Sequence, residues 1–228
     1  MTRDLRAIRA AGRATVMVRL SSLDAFLASF GVLVLSLSFH EAAHAWTADR
    51  LGDPTARLLG RLTLNPIAHI DWIGTVLFPL IAMSSGLPLI GWAKPVPVNG
   101  ARLRSPRRDF AVVALAGPVS NLLLAVVAAV VLSLVESAAG GRGMAPSLAV
   151  SILTLAVYLN VLLAVFNMIP IPPLDGGNVL AGLVPEPVAH VIDRVRPYGF
   201  VLLYLLMFLG GLEAIADPVQ RLVLRWLL

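Results

Sequence analysis

Residues 39–46 read FHEAAHAW and place His40, Glu41 and His44 at the end of a long apolar run. If this stretch is helical, positions i and i+4 share a face one turn apart, so both imidazoles can reach one tetrahedral metal ion. Glu41 sits one residue along, within reach of a water on that ion. This H-E-x-x-H pattern suits zinc hydrolysis: the metal lowers the water's pKa, and the glutamate takes the proton as a carbonyl is attacked. An ionisable group inside an apolar span costs about 3 kcal/mol or more, and such groups usually mark function.

Two histidines do not complete a zinc site. The chain contains no cysteine, so a third protein ligand must be a histidine or a carboxylate. Two candidates stand out. His69 lies beyond a turn-rich segment, with Asp71 close by. Asp175 lies in PPLDGG, where Pro172 and Pro173 prevent a regular helix just before it. Irregular backbone at membrane depth is tolerated only where it lines a cavity or is buried in protein. Gly176 and Gly177 remove side-chain bulk beside the carboxylate, so backbone can approach a metal or a substrate strand there.

The elements that must position these residues belong to a membrane protein. The 228 residues are 58% hydrophobic and only 14% charged, with a mean hydropathy of +0.85; soluble domains carry roughly 25% charged residues. The net charge is +5, and 17 of the 18 basic residues are arginine. They flank the apolar runs, where they act as topology signals and headgroup contacts rather than a nucleic-acid surface. Five oily stretches follow one another: 23–48, 73–91, 110–135, 147–168 and 198–212. The second is short and broken by Pro79, Gly86 and Pro88. Residues 1–22 carry five arginines at helical spacing and read as a basic amphipathic segment. Residues 215–228 read as an amphipathic tail. Between them, 23–214 form one membrane domain. Residues 56–66 and 91–99 read as extended linkers that together can form a small β element. The fold class is therefore an all-α polytopic membrane protein, a core helical bundle with a small β element.

HEAAH on a membrane helix, LAGPVSN opening a later one and FNMIPIPPLDGG closing another, in that order, resemble the site-2 protease family (peptidase family M50). GRLTLNPIAHIDWIGT and GWAKPVPVN resemble its short bacterial branch, without PDZ or CBS domains. The resemblance runs from about residue 30 to 183. It implies an intramembrane zinc metalloendopeptidase in a bacterial inner membrane, with the site towards the cytoplasm and one zinc ion held by His40, His44 and Asp175. Glu41 is then the general base. Asn167 falls on the family's asparagine before the proline-rich turn, where it would hold substrate or stabilise an oxyanion; a helix-end hydrogen bond is its other reading. The implied partners are the bilayer and a membrane-protein substrate with a transmembrane helix, cleaved in regulated intramembrane proteolysis. Two non-proteolytic alternatives are a catalytically inactive metal-binding relative and a transport-type protein.

The implied zinc site constrains topology. His40 and Asp175 lie near the far ends of the first and fourth oily stretches. They can meet only if 73–91 does not cross the membrane, so that stretch is expected to be re-entrant or to pair back along the small β element. His69 is a candidate for the site mouth, as a competing ligand or substrate contact. Asn121 and Ser120 are expected to hydrogen-bond between helices. Trp46, Trp72 and Trp92 are placed to form an interfacial belt.

Overall fold

The computed structural model describes residues 22–77, 81, 93–138 and 148–228. The basic segment 1–21, most of 78–92 and residues 139–147 lie outside the described residues.

Helix α1 (Ser22–Arg50) carries Asp24 in its first turn and Arg50 in its last, each placed favourably for the helix dipole. A four-residue helix, α2 (Thr55–Leu58), follows. Next come a 3-10 turn at Pro66–His69 and a π turn at Trp72–Leu77. Residues 93–99 are extended and lead through a 3-10 turn, Gly100–Arg102, into α3 (Pro106–Ala138). Pro106 opens α3 where no intrahelical donor is needed, and the Asp109 carboxylate reaches back to accept from the Ser105 amide at 2.7 Å. α4 (Leu148–Asn167) is apolar almost throughout. A turn at 168–174 then leads to α5 (Asp175–Leu183), α6 (Glu186–Val195), α7 (Gly199–Phe208) and α8 (Gly211–Leu227).

Three described helices are long and apolar enough to cross a membrane: Leu27–Arg50, Pro106–Ala138 and Leu148–Asn167. The oily stretch 198–212 does not join them. It is divided at Leu209–Gly210, and the ten residues of α7 rise only about 15 Å, half of a bilayer's hydrocarbon thickness.

The inner stripe of α3 is rich in small residues, with Ala111, Ala114, Gly117, Ala125, Ala128 and Ala129 all buried. Small side chains let helix backbones approach closely where lipid gives no hydrophobic drive to associate. Val157 and Val161 of α4 fill the space beside Ala125 and Ala129, and Val223, Leu224, Leu227 and Leu228 at the end of α8 pack on the same cluster. The outward face of α3 is apolar and exposed, including Leu115, Leu123, Val127 and Leu134, as a lipid-facing surface should be.

Residue pairings set the directions. Ser36 and His40 of α1 face Asn121 of α3, while His44 and Ala48 face Val113. α1 and α3 are therefore antiparallel. Leu33 and Leu37 of α1 pack with Leu163 of α4, and α4 leads towards Asp175. The far ends of the first and fourth stretches thus meet, as the zinc geometry requires.

No β-strand is present among the described residues. The linkers lie side by side but are joined mainly by side chains. The Lys94 amide donates to the His69 carbonyl at 2.9 Å. Arg61 donates to the Lys94 carbonyl at 2.6 Å, and the Asn99 amide donates to Asp53 at 2.6 Å. Pro95 and Pro97 have no amide hydrogen, so one edge of this segment has no donors for a ladder. The Lys94–His69 bond also brings the two ends of the 70–93 excursion together. The path between them, and with it the expected re-entrant turn, falls largely outside the described residues.

Candidate metal centre

His40 and His44 project from α1 towards α3, their rings edge-on with centroids 4.6 Å apart. Each ring has its Nδ1 engaged by an acceptor. His40 Nδ1 lies 2.6 Å from Asn121 Oδ1, and His44 Nδ1 lies 2.7 Å from the Val113 carbonyl. A carbonyl oxygen can only accept, so these bonds place the proton on Nδ1 and leave each Nε2 lone pair free. Both Nε2 atoms point to the same place. Asp175 Oδ2 stands 3.0 Å from His40 Nε2 and 3.4 Å from His44 Nε2.

These three atoms fit a cation. Ligands about 2.0–2.2 Å from a tetrahedral zinc stand roughly 3.3 Å apart, close to the separations found here. Asp175 Oδ2 is buried and has no hydrogen-bond partner, so its proximity to the rings is not a hydrogen bond. Gly117 of α3 supplies the room. A Cβ at this position would lie 2.5 Å from both Nε2 atoms, nearer than real Cβ contacts come. Among the described residues, His40, His44 and Asp175 form the one His/carboxylate group arranged to hold a metal.

The aspartate is positioned by backbone packing. Asp175 opens α5 directly after the turn 168–174. Gly176 lies against the carbonyls of Met168 and Ile169, and Gly177 against the Ile171–Pro172 backbone. The space these glycines free is therefore taken by the chain's own turn rather than by a foreign strand. At the other end of α5, Arg107 of α3 donates through Nε to the Ala181 carbonyl at 2.9 Å and through Nη2 to the Val184 carbonyl. That bond pair satisfies carbonyls left open at the helix end.

Glu41 is buried beside the histidines. Its Oε2 accepts from the Val96 amide at 2.8 Å. Val96 stands between Pro95 and Pro97, so it is the sole backbone donor in that triplet. Arg61 fixes this strap, residues 93–99, through its bonds to the Lys94 and Pro95 carbonyls. On the flank of α1, an open groove of about 430 Å³ is lined by Phe39, Ala43, Trp46, Leu62, Leu64 and Ser120.

Two other candidates lie elsewhere. His69 is buried, and its Nε2 bonds to the Thr63 carbonyl at 2.8 Å. It thus ties the end of the 3-10 turn back to Thr63 and is outside the metal group. Asn167, in the last turn of α4, donates to the Leu163 carbonyl at 2.9 Å, the helix-end bond open to such a residue. Sequence reasoning missed Gly117 and Val96. It assigned Asn121 only a general interhelical role. The sole advance signal for these positions was their place within LAGPVSN and PVPVN.

The family model "Peptidase family M50" matches residues 26–209. "Putative zinc metalloprotease YwhC" of Bacillus subtilis (strain 168) is 38% identical over 183 residues, covering 79% of each chain. "Putative zinc metalloprotease Rip2" of Mycolicibacterium smegmatis is 28% identical over 216 residues, covering 91% of this chain and 79% of that protein. No solved structure matches.

Proposed function

The chain belongs to peptidase family M50, and on that premise we propose that it is a membrane-embedded zinc metalloendopeptidase that cleaves peptide bonds within or beside transmembrane segments of other proteins. The observation that carries this reading is the meeting of His40 Nε2, His44 Nε2 and Asp175 Oδ2 around the gap left by Gly117. His40, His44 and Asp175 would hold one zinc ion, which when bound supplies the Lewis acidity that activates water and polarises the scissile carbonyl.

Glu41 is the proton carrier. The Val96 amide holds Oε2 and orients the carboxylate, and Oε1 takes the proton from water and later returns it to the leaving amine. Asn167 steadies the extended substrate or the developing oxyanion once it exchanges its bond to the Leu163 carbonyl for one to substrate. A helical substrate must unwind first, because its carbonyls are hydrogen-bonded. The groove between α1 and residues 62–64 is the supporting feature for a binding path.

The protease domain is assigned to 23–214, with 1–22 as a basic interfacial segment and 215–228 as a docked amphipathic tail. Residues 73–91 are read as re-entrant, supported by the Lys94–His69 hydrogen bond. The site is assigned to the cytoplasmic side of a bacterial cell membrane. Arg50, Arg57, Arg61, Lys94, Arg102, Arg104, Arg107 and Arg108 all fall in segments at its end of the bundle, as the positive-inside tendency favours.

Glu41→Gln in the full chain tests this reading. It should keep one zinc ion per chain by metal analysis and abolish cleavage of a membrane-helix substrate, while Asp175→Ala should lose the metal as well. A photocrosslinker at Leu62 in the Glu41→Gln protein should capture intact substrate. Cleavage unchanged in Glu41→Gln would end the protease reading. Zinc binding with no cleavage by the wild type, across a panel of membrane-helix substrates, would favour an inactive metal-binding relative.

A further inference from the structure

Asn121 and Asn160 are the most thoroughly buried amides in the described bundle, at 0% and 2% exposure. Three hydrogen bonds run in series. Asn160 Nδ2 donates to the Ala156 carbonyl at 2.9 Å. Asn121 Nδ2 donates to Asn160 Oδ1 at 2.9 Å. His40 Nδ1 meets Asn121 Oδ1 at 2.6 Å. The Asn121 amide also donates to the Ser36 carbonyl at 3.3 Å.

The direction of this series is not open to choice. Backbone carbonyls only accept, so Ala156 fixes which end of the Asn160 amide is its NH₂, and Asn160 Oδ1 must then face Asn121. Flipping Asn121 would set its oxygen against two other acceptors, Asn160 Oδ1 and the Ser36 carbonyl, with no proton between them. Its oxygen therefore faces His40, which must donate from Nδ1. Were the amide reversed, Nδ1 would accept, the ring proton would move to Nε2, and Nε2 would have no lone pair for a metal.

We infer that Asn160 is a positioning residue for the metal centre: through Asn121 it holds His40 in the Nδ1–H tautomer with Nε2 free to ligate. This rests on the reading of His40 as a metal ligand. Asn160 is 120 positions from His40 and touches neither the metal group nor Glu41, but it anchors the orientation of a ligand on α1 from a backbone carbonyl on α4. Groups that bond the second nitrogen of a metal-ligating histidine typically change metal affinity by 10–100-fold when removed.

The experiment uses the full chain in detergent and Co²⁺ as probe, with affinity read from the visible absorption of the bound ion. Asn160→Leu should weaken Co²⁺ binding at least tenfold. Asn160→Asp should restore it to within about threefold of wild type. A buried aspartate favours its neutral form, and the neutral carboxyl can donate to the Ala156 carbonyl and accept from Asn121 as the amide does. In the metal-free protein, ¹⁵N-histidine spectra should show His40 as the Nδ1–H tautomer in wild type and Asn160→Asp, and as a tautomer mixture in Asn160→Leu. The His40 signals are identified by their loss in His40→Ala. Asn160→Ala replaces Asn160→Leu should the latter fail to fold. Unchanged affinity and tautomer in Asn160→Leu, or equal losses in the leucine and aspartate variants, would overturn the relay. Retention of Co²⁺ in His40→Ala would instead overturn the ligand reading on which it rests.

Discussion

The histidine half of the metal centre stands on a long helix, and each ring is held by a hydrogen bond to α3. The aspartate half comes off a proline-rich turn. It is held by glycines pressed against backbone and by one arginine at the far end of a nine-residue helix. The first half is positioned by the polarity of its acceptors and the second by the fit of its backbone. A polar network fixes which atom faces the metal. Backbone packing fixes where a ligand stands but not which way a proton points, and a carboxylate needs only the former.

That contrast can be broken most sharply at Gly117, which serves both halves. Gly117→Ala would place a methyl group 2.5 Å from both Nε2 atoms, and the rings cannot retreat without breaking their bonds to Asn121 and Val113. Zinc affinity should fall by about 100-fold or more, going by the cost of misplacing ligand positions, with helix content by circular dichroism unchanged. Full zinc retention would show that the gap is not where the ion sits.

Arg107→Ala acts on the aspartate half alone. It frees two carbonyls at the end of α5, and hydrogen bonds from a charged group are worth about 1.5–3 kcal/mol each. Thermal stability should fall and cleavage should drop several-fold, while the Nδ1–H tautomers of His40 and His44 stay as they are. A change in those tautomers would show that the two halves are not separately built.

The smallest effect belongs to Asp53, which ties the start of α2 to the strap. Burial would raise its carboxyl. The hydrogen bonds from Thr55 Oγ1, the Asn99 amide and the Thr55 amide outweigh that, aided by the nearby Arg102, and hold it below its ordinary value. A depressed folded-state pKa contributes stability that is present above the unfolded value and is lost as pH falls through the folded one. The contribution should therefore be complete at neutral pH and fade below about pH 4. Asp53→Asn should lower the melting temperature at pH 7 and flatten its decline in that acid window. An identical acid profile would show that Asp53 does not carry the linkage.

The legible parts of the fold were those written locally. HEAAH is readable because helical spacing alone brings its histidines together, and the three long apolar runs are readable by length. The prolines and glycines around Asp175 marked it as one of two candidates, and the family resemblance was needed to choose it over His69. The Asn121 contact to His40 joins residues 81 positions apart, and no single-segment pattern encodes such a pairing. Gly117 went unread because its importance lies in what it leaves empty. The linkers were read as a β element because their apolar and proline residues favour extension. Residues 93–99 are extended, but 56–66 holds most of α2, a turn at 59–60 and bends at 62–63. The expected ladder is absent among the described residues: Pro95 and Pro97 leave one edge without donors, and Arg61, Asp53 and Glu41 take backbone groups a partner strand would have used.

The alternation of proline and valine in the strap has a further consequence. An extended segment left open in a crowded membrane is an aggregation hazard, since a neighbouring molecule can pair with it edge to edge. Here the only amide between Lys94 and Val98 is already bound to Glu41. A second copy of the chain would find nothing along that triplet to accept from, so the same two prolines that aim one donor at the glutamate also keep the strap from acting as a sticky edge.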